Sequence, residues 1–231
     1  MQDIRASLER VRERIARAAA RAGRRAEDVL LIGVSKAVEP VRIREAVAAG
    51  VPALGENRVQ EARAKIAELG RAVPWHLVGQ LQTNKAKDAV ELFELIHSVD
   101  RPELARELDK RARQGGRPVE ALVQVNVAGE ASKGGVAPEG LGDLLDAVTK
   151  LDHVRVLGLM VIPPEARDPA DARVWFRTLA KLRERHGLRE LSMGMSGDFE
   201  VAIEEGATMV RVGTAIFGPR PAAPLKEPRE R

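Results

Sequence analysis

The segment Val29-Leu-Leu-Ile-Gly-Val-Ser-Lys36 ends a run of branched aliphatic residues on a single lysine. The acidic pair Glu27-Asp28 precedes the run, and Glu39-Pro40 follows it. An apolar run of this length with polar borders is typical of a strand that is buried on both faces of a parallel sheet. We therefore predict that Lys36 lies at the carboxyl end of this strand, where α/β folds bind their ligands.

The same rhythm of a short apolar strand followed by a helix recurs along the chain. The predicted strands after the first span residues 52–56, 75–79, 95–99, 118–127, 154–161, 191–193 and 209–212. Predicted helices span residues 40–49, 58–69, 85–92, 102–113, 139–151, 169–186 and 199–205. An amphipathic helix over residues 2–22 precedes them, with Ile4, Leu8, Val11 and Ile15 on one stripe.

Strands and helices that alternate with short joins favour a parallel, right-handed α/β arrangement. Eight such units fit a single (β/α)8 TIM-type barrel with an extra N-terminal helix. A doubly wound open sheet is the alternative. We expect residues 1–218 to form one domain and the proline-rich residues 219–231 to be a disordered tail.

Composition excludes several functional classes. The chain has 231 residues and no cysteine, which excludes disulfides, thiolate chemistry and cysteine-bound zinc. The formal charge is +4, but 38 basic and 34 acidic residues are interleaved along the helices. Interleaved charges indicate solvated helix faces, so we expect no nucleic-acid binding. No signal peptide or apolar stretch of about 18 residues occurs, and we expect a cytoplasmic protein that does not enter a membrane.

Two segments near the C-terminus are candidates for a phosphate site. Residues 193–198 (Met-Gly-Met-Ser-Gly-Asp) precede a short helix, and Ser196 adds a hydroxyl that could cap that helix. Residues 211–215 (Arg-Val-Gly-Thr-Ala) follow the eighth strand. The loops after strands seven and eight of such barrels frequently bind phosphate. The alternative is that the glycines only make tight turns between strand and helix.

Lys36 also has two interpretations. Its stem could pack at the strand end while the ammonium group reaches water. A partly desolvated lysine could instead act as a nucleophile toward a carbonyl group. In a closed barrel the first strand neighbours the eighth, so a nucleophilic lysine would lie near the phosphate loops. The ligand implied is an aldehyde that carries a phosphate, and pyridoxal 5′-phosphate fits that description.

The sequence resembles the YggS/PROSC family of pyridoxal phosphate homeostasis proteins. The resemblance is carried by Gly33-Val-Ser-Lys36, Leu54-Gly-Glu-Asn57, Trp75-His-Leu-Val-Gly-Gln-Leu-Gln-Thr-Asn-Lys85, His97-Ser-Val-Asp100, Leu191-Ser-Met-Gly-Met-Ser196 and Val210-Arg-Val-Gly-Thr-Ala-Ile-Phe-Gly218. These segments span nearly the whole chain in order. The resemblance implies a barrel like the N-terminal domain of alanine racemase.

The same resemblance implies roles for individual residues. It implies that Lys36 carries pyridoxal 5′-phosphate as a Schiff base and that Asn57 lies near the ring. Arg211 would face the pyridine nitrogen. The cofactor-binding residues of the phosphate end would be Met193, Ser196, Gly197, Gly213 and Thr214.

An arginine at the pyridine nitrogen weakens the ring as an electron sink, because a guanidinium keeps that nitrogen unprotonated. The second base of the similar racemases is a tyrosine from an added domain, and this chain contains no tyrosine. We therefore expect a carrier that releases the cofactor to apo-enzymes and has no efficient catalysis of its own. A weak racemase-type enzyme with His76 or a substrate-borne group as second base is the alternative. Without the added domain, we expect a monomer.

Overall fold

The computed structural model describes residues 3–130, 133–165 and 167–219, and their centre is a closed barrel of eight parallel strands. Each strand pairs with its neighbours along the chain, and β1 also pairs with β8 from Leu30↔Met209 to Gly33↔Val212. The strands are β1 (Leu30–Val34), β2 (Ala53–Glu56), β3 (Trp75–Leu77), β4 (Leu95–Val99), β5 (Val119–Gln124), β6 (Val154–Met160), β7 (Glu190–Met195) and β8 (Met209–Val212).

Helices connect the strands on the outside of the barrel. They are α1 (Ile4–Arg21), α2 (Pro40–Ala48), α3 (Val59–Leu69), α4 (Ala86–Leu92), α5 (Pro102–Gly115), α6 (Leu141–Val148), α7 (Arg173–Arg185), α8 (Phe199–Glu204) and α9 (Thr214–Phe217). Short 3₁₀ turns lie at Ala26–Asp28, Thr83–Lys85, Pro138–Gly140 and Pro169–Ala172. Among the described helices, none combines the length and the apolar character that crossing a membrane requires.

The barrel prediction is confirmed, and the open-sheet alternative is wrong because β1 and β8 are hydrogen-bonded to each other. Each predicted strand overlaps an observed one, and the β4 and β8 boundaries coincide with the prediction. The predicted N-terminal helix corresponds to α1, whose apolar stripe is buried against the barrel helices. The predicted tail lies outside the described residues apart from Pro219.

Side chains of the strands alternate between two apolar layers, as the pleat of a strand requires. The interior of the barrel holds a small cluster of buried side chains. Its members are Ile32, Ala53, Leu95, Leu122, Met160 and Met209. The alternate residues, such as Leu31, Leu54 and Val210, belong to the larger layer between the strands and the helices. This alternation decides which residues face the carboxyl-end opening of the barrel, here called the mouth.

Candidate functional site

Lys36 lies in the turn that follows β1, two residues beyond the end of the strand at Val34. It lines a cavity with residues that follow β2 and β3. Its side chain is half-buried at the mouth, and no described residue forms a hydrogen bond or ion pair with it. An amine in this position is available to a ligand that enters the mouth.

The backbone around Lys36 is held by a buried ion cluster formed by Ser35, Glu56, Glu61 and Lys65. The Lys65 ammonium donates to the backbone oxygen of Ser35 (2.6 Å), to Glu56 Oε1 (2.7 Å) and to Glu61 Oε1 (2.8 Å). The Ser35 hydroxyl also donates to Glu56 Oε1 (2.6 Å). Lys65 is 7% exposed and Glu56 is fully buried. Such a cluster fixes geometry, because each charge has its partners only in this arrangement.

This ion cluster holds the chain on both sides of Lys36. The oxygen that Lys65 binds belongs to Ser35, and Glu61 Oε1 accepts from the backbone N–H of Ala37 at 2.7 Å. Ala37 has φ +56°, the only positive value among the described non-glycine residues. A left-handed alanine costs about 1–2 kcal/mol, so surrounding contacts must maintain it. The cluster therefore positions the turn that presents Lys36.

Within the ion cluster, burial and hydrogen bonding shift the pKa of Glu56 in opposite directions. Burial raises the pKa of the Glu56 carboxyl group, and hydrogen bonds from Lys65 and Ser35 offset part of that effect. The Glu56 Oε2 atom is buried without a partner among the described residues. Glu56 consequently depends on Lys65 for most of its charge compensation.

The two candidate phosphate loops meet at Ser196. Its hydroxyl oxygen accepts from the backbone N–H groups of Gly213 (3.2 Å) and Ala215 (3.3 Å). The prediction that Ser196 caps the short helix α8 is wrong, because the cap position of α8 is Asp198. Ser196 instead joins the loop after β7 to the loop after β8. Its hydroxyl accepts both bonds, so its own hydrogen can be donated to an anion.

Small residues keep this junction open toward the mouth. A Cβ atom built on Gly197 would have no protein atom within 4 Å, so that side of the loop is free for a ligand. At Gly213 the same atom would lie 3.3 Å from the backbone oxygen of Val34, two residues before Lys36. Thr214 follows Gly213 and is exposed. Residues from both ends of the chain thus converge on one place, where the hydroxyl hydrogen of Ser196 is available to an anion.

Arg211 lies inside the barrel and ends a buried hydrogen-bonded chain. Its guanidinium donates to Ser192 Oγ (2.7 Å) and to the backbone oxygen of Val161 (2.8 Å). Ser192 Oγ is 2.9 Å from His97 Nδ1, and His97 Nε2 is 3.1 Å from His76 Nδ1. Burial lowers the pKa of Arg211 to about 10, even though the nearby charge of Asp198 opposes this shift. The guanidinium therefore stays charged at neutral pH.

The two histidines are poor bases in this environment. Burial lowers the pKa of His76 to about 4. Burial, followed by the charges of His76 and Arg211, lowers the pKa of His97 well below its usual range. A base with so low a pKa accepts protons weakly at neutral pH. His76 is also 5% exposed, which argues against its role as second base of a racemase.

We expect the protein to lose stability in acid because of these histidines. The folded pKa of His76 lies below the unfolded value, so its contribution is present above about pH 6.5 and is lost as the pH falls toward about 4. For His76 alone the loss is about 2 kcal/mol at pH 5. Urea unfolding at pH 7 and pH 5 measures it. In His76→Gln, the free energy of unfolding should differ less between pH 7 and pH 5, by about that amount. If the two proteins lose the same free energy of unfolding between these pH values, the assignment to His76 is wrong.

Asn57 and Met193 occupy different environments. Asn57 follows β2, is half-buried and lines the same cavity as Lys36. The Met193 side chain is fully buried in the layer between strands and helices, so it supports the loop from behind rather than facing the mouth.

Within the described part of the chain, no group of three or more acidic or histidine side chains is placed to hold a metal ion.

Sequence reasoning missed the ion cluster and the partners of the histidines. Lys65 lies in the middle of a charged helix, where a lysine is expected to be solvated, yet it is nearly buried. One signal was available: Glu56 ends an apolar strand, and a carboxylate in such a place needs a cationic partner. His76 and His97 are buried and hydrogen-bonded to each other, which is typical of structural histidines on strands.

Comparisons with known proteins agree with this geometry. The family model of the alanine racemase N-terminal domain matches residues 6–221. The pyridoxal phosphate homeostasis protein of Aquifex aeolicus is 49% identical over 220 residues, which cover 92% of this chain and 96% of that protein.

Solved structures show the same likeness. A crystal structure of an unknown protein from Bifidobacterium adolescentis has a TM-score of 0.88 and 38% identity, and the match covers 93% of this chain and 94% of that one. The structure of PipY from Synechococcus elongatus with pyridoxal phosphate bound has a TM-score of 0.77 and 42% identity. That match covers 88% of this chain and 100% of PipY.

Proposed function

Because this chain belongs to the alanine racemase N-terminal domain family, and within it to the pyridoxal phosphate homeostasis proteins, we propose that it binds pyridoxal 5′-phosphate and acts in the homeostasis of that cofactor. The bound cofactor supplies an aldehyde for a Schiff base with an amine and a phosphate that requires hydrogen-bond donors. Lys36 provides the amine. The protein then carries the cofactor and releases it to apo-enzymes, as a monomer.

One observation carries this proposal: Lys36 and the junction at Ser196 share one mouth. Lys36 leaves β1 with no described partner, and β1 pairs with β8, which leads into Gly213. Ser196 bridges the loops after β7 and β8 through two backbone N–H groups. A phosphate-bearing aldehyde needs an amine at one end and a donor at the other; Lys36 offers the amine and the Ser196 hydroxyl offers the donor.

The other residues are assigned roles that favour holding over catalysis. Ser196, Gly197, Gly213 and Thr214 hold the phosphate. Arg211 keeps a charged guanidinium beneath the mouth, and a charged donor opposite the ring nitrogen keeps that nitrogen unprotonated. Asn57 lies beside the ring.

Catalysis would need a strong second base, and His76 is too weak and too deeply buried to serve. We therefore favour a carrier over a racemase.

Borohydride reduction followed by peptide mass mapping tests the proposal. Protein loaded with pyridoxal 5′-phosphate should show a visible absorbance band that reduction removes. Reduction should leave the cofactor's mass on the peptide that contains Lys36. A sample that is mapped without reduction is the control, since a Schiff base hydrolyses during digestion. Protein that stays colourless in excess cofactor, or a label spread over exposed lysines, would contradict the proposal.

A further inference from the structure

The mouth contains a second opening on the side away from the phosphate loops. A cavity of about 550 Å³ lies over the ends of β2 and β3 and extends to Lys36. Its volume falls within the usual range of small-molecule sites, about 300–1,000 Å³. Residues of the phosphate loops do not line it. Its lining is Lys36, Asn57, Arg58, Val59, Gln60, Gly79, Gln80, Leu81, Gln82, Lys85 and Arg101.

The charges that line this cavity all have one sign. Four lining residues are cationic, namely Lys36, Arg58, Lys85 and Arg101, and none is acidic. In a chain whose 38 basic and 34 acidic residues nearly balance, a cavity lined by one sign of charge concentrates anions.

Two of these cations, the exposed Arg58 and the half-buried Lys85, have side chains with no hydrogen-bond or ion-pair partner among the described residues. The carboxylate of Glu61 lies near enough to Arg58 to interact with its charge. This differs from the surface of the chain, where many arginines are paired, as Arg173 is with Glu204 and Glu205. Lys85, unpaired and half-buried, gains more from an anionic ligand than a fully hydrated cation does.

Arg101 is held in place at the edge of the cavity. Its guanidinium pairs with Asp100 and donates to the backbone oxygen of Leu81 (3.2 Å) and to Thr83 Oγ1 (3.1 Å). Fixed in this way, Arg101 offers donors that need not be ordered on binding, although the Asp100 carboxylate offsets its charge. Amide side chains of Asn57, Gln60, Gln80 and Gln82 supply neutral donors and acceptors.

We propose that this cavity is a binding subsite for a small oxyanion-bearing ligand, held by Arg58, Lys85 and Arg101 next to Lys36. The shared chemistry is a carboxylate or phosphate group, as on an amino acid or a phosphorylated metabolite. The inference deepens the proposed function and rests on it only for the identity of the neighbouring cofactor. A ligand in this subsite would lie beside the amine that holds the cofactor, where its charge can favour retention or release.

The test uses protein loaded with pyridoxal 5′-phosphate, so that the phosphate loops are already filled. Acetate and orthophosphate are titrated separately at constant ionic strength, and the thermal midpoint and the visible band are recorded. We expect a saturable rise in Tm of about 2–4 °C at about five times the dissociation constant for at least one of the anions. A response to acetate alone identifies a carboxylate site, and a response to orthophosphate identifies a phosphate site.

Variants distinguish specific anion binding in this cavity from a non-specific effect of anions on the surface charge. Arg58→Gln combined with Lys85→Gln should weaken anion binding at least about tenfold. Lys87→Gln is the control for a loss of positive charge, because it removes one charge from an exposed position on α4 outside this cavity. It should leave binding unchanged. An anion response that is absent, or that Lys87→Gln reduces as much as the double variant does, overturns the proposal.

A parallel titration keeps this result independent of the cofactor. Lys36→Ala protein without pyridoxal phosphate retains Arg58, Lys85 and Arg101, so the anion that raised the Tm of the loaded protein should still raise its Tm. If the loaded protein shows no visible band but this response persists, the subsite stands and the proposed function fails. If the band is present and no anion response occurs in either protein, the subsite fails alone.

Discussion

Lys36→Ala is expected to abolish the visible band of the cofactor-loaded protein and its fixation by borohydride. Among the described lysines, only Lys36 is placed in this way by the ion cluster, so no neighbouring lysine should take over the link. The cofactor would then be held only by its non-covalent contacts with the phosphate and the ring, each worth about 1.5–3 kcal/mol if charge-assisted. Absorbance titration measures the loss of the covalent link, and equilibrium dialysis measures the loss of affinity for the cofactor.

Stability distinguishes this result from a folding defect. Lys36 has no described hydrogen bond or ion pair, so its truncation should change the free energy of unfolding by no more than about 0.5 kcal/mol. Lys87→Ala, an exposed lysine on α4, serves as the control and should keep the band. A Lys36→Ala protein that still forms a reducible link with the cofactor would remove Lys36 from the site.

Lys65→Met is expected to have the largest effect on stability. Methionine has a similar length but cannot donate, so the fully buried Glu56 carboxylate loses its cation and Ser35 and Glu61 each lose a donor. Removing one partner from a buried ion pair costs about 3–5 kcal/mol. Urea unfolding at pH 7 measures the loss. The rate of borohydride fixation at Lys36 should also fall, since the Ser35 oxygen beside it is released.

A double-variant cycle isolates the ion pair. Adding Glu56→Gln to Lys65→Met removes the stranded charge, so the double variant should be more stable than Lys65→Met alone. Additive losses would mean that Lys65 and Glu56 do not interact energetically. A loss below about 1 kcal/mol for Lys65→Met would place Lys65 among ordinary surface residues.

The sequence predicted the barrel because its strands are short apolar runs and its helices have polar faces and glycine stops. The closure between β1 and β8 could not be read from the chain, since an open sheet and a barrel use the same alternation of elements. The ends of several strands were also overestimated, as at β5, where the chain leaves the sheet after Gln124 although apolar residues continue.

Within the site, the sequence placed Lys36 and Ser196 at the mouth, because the position of a residue at a strand end needs only chain order. The bonds of Ser196 were predicted wrongly, because its partners come from the next strand and depend on how two loops meet. The His76–His97 contact was missed for a related reason. Both strands are buried on their two faces, so no polar alternation shows which side chains point inward.

The pairing of β1 with β8 determines when the protein can bind its ligand. A ligand attached at Lys36 and gripped at Ser196 and Gly213 reaches across the seam where the first and last strands join, so it binds only a barrel that has closed. A nascent chain therefore has no site until its final strand has been synthesised. Because the ligand binds only the closed barrel, binding stabilises the folded state by mass action. If the proposed function holds, the lifetime of the folded protein rises and falls with the supply of the molecule it carries.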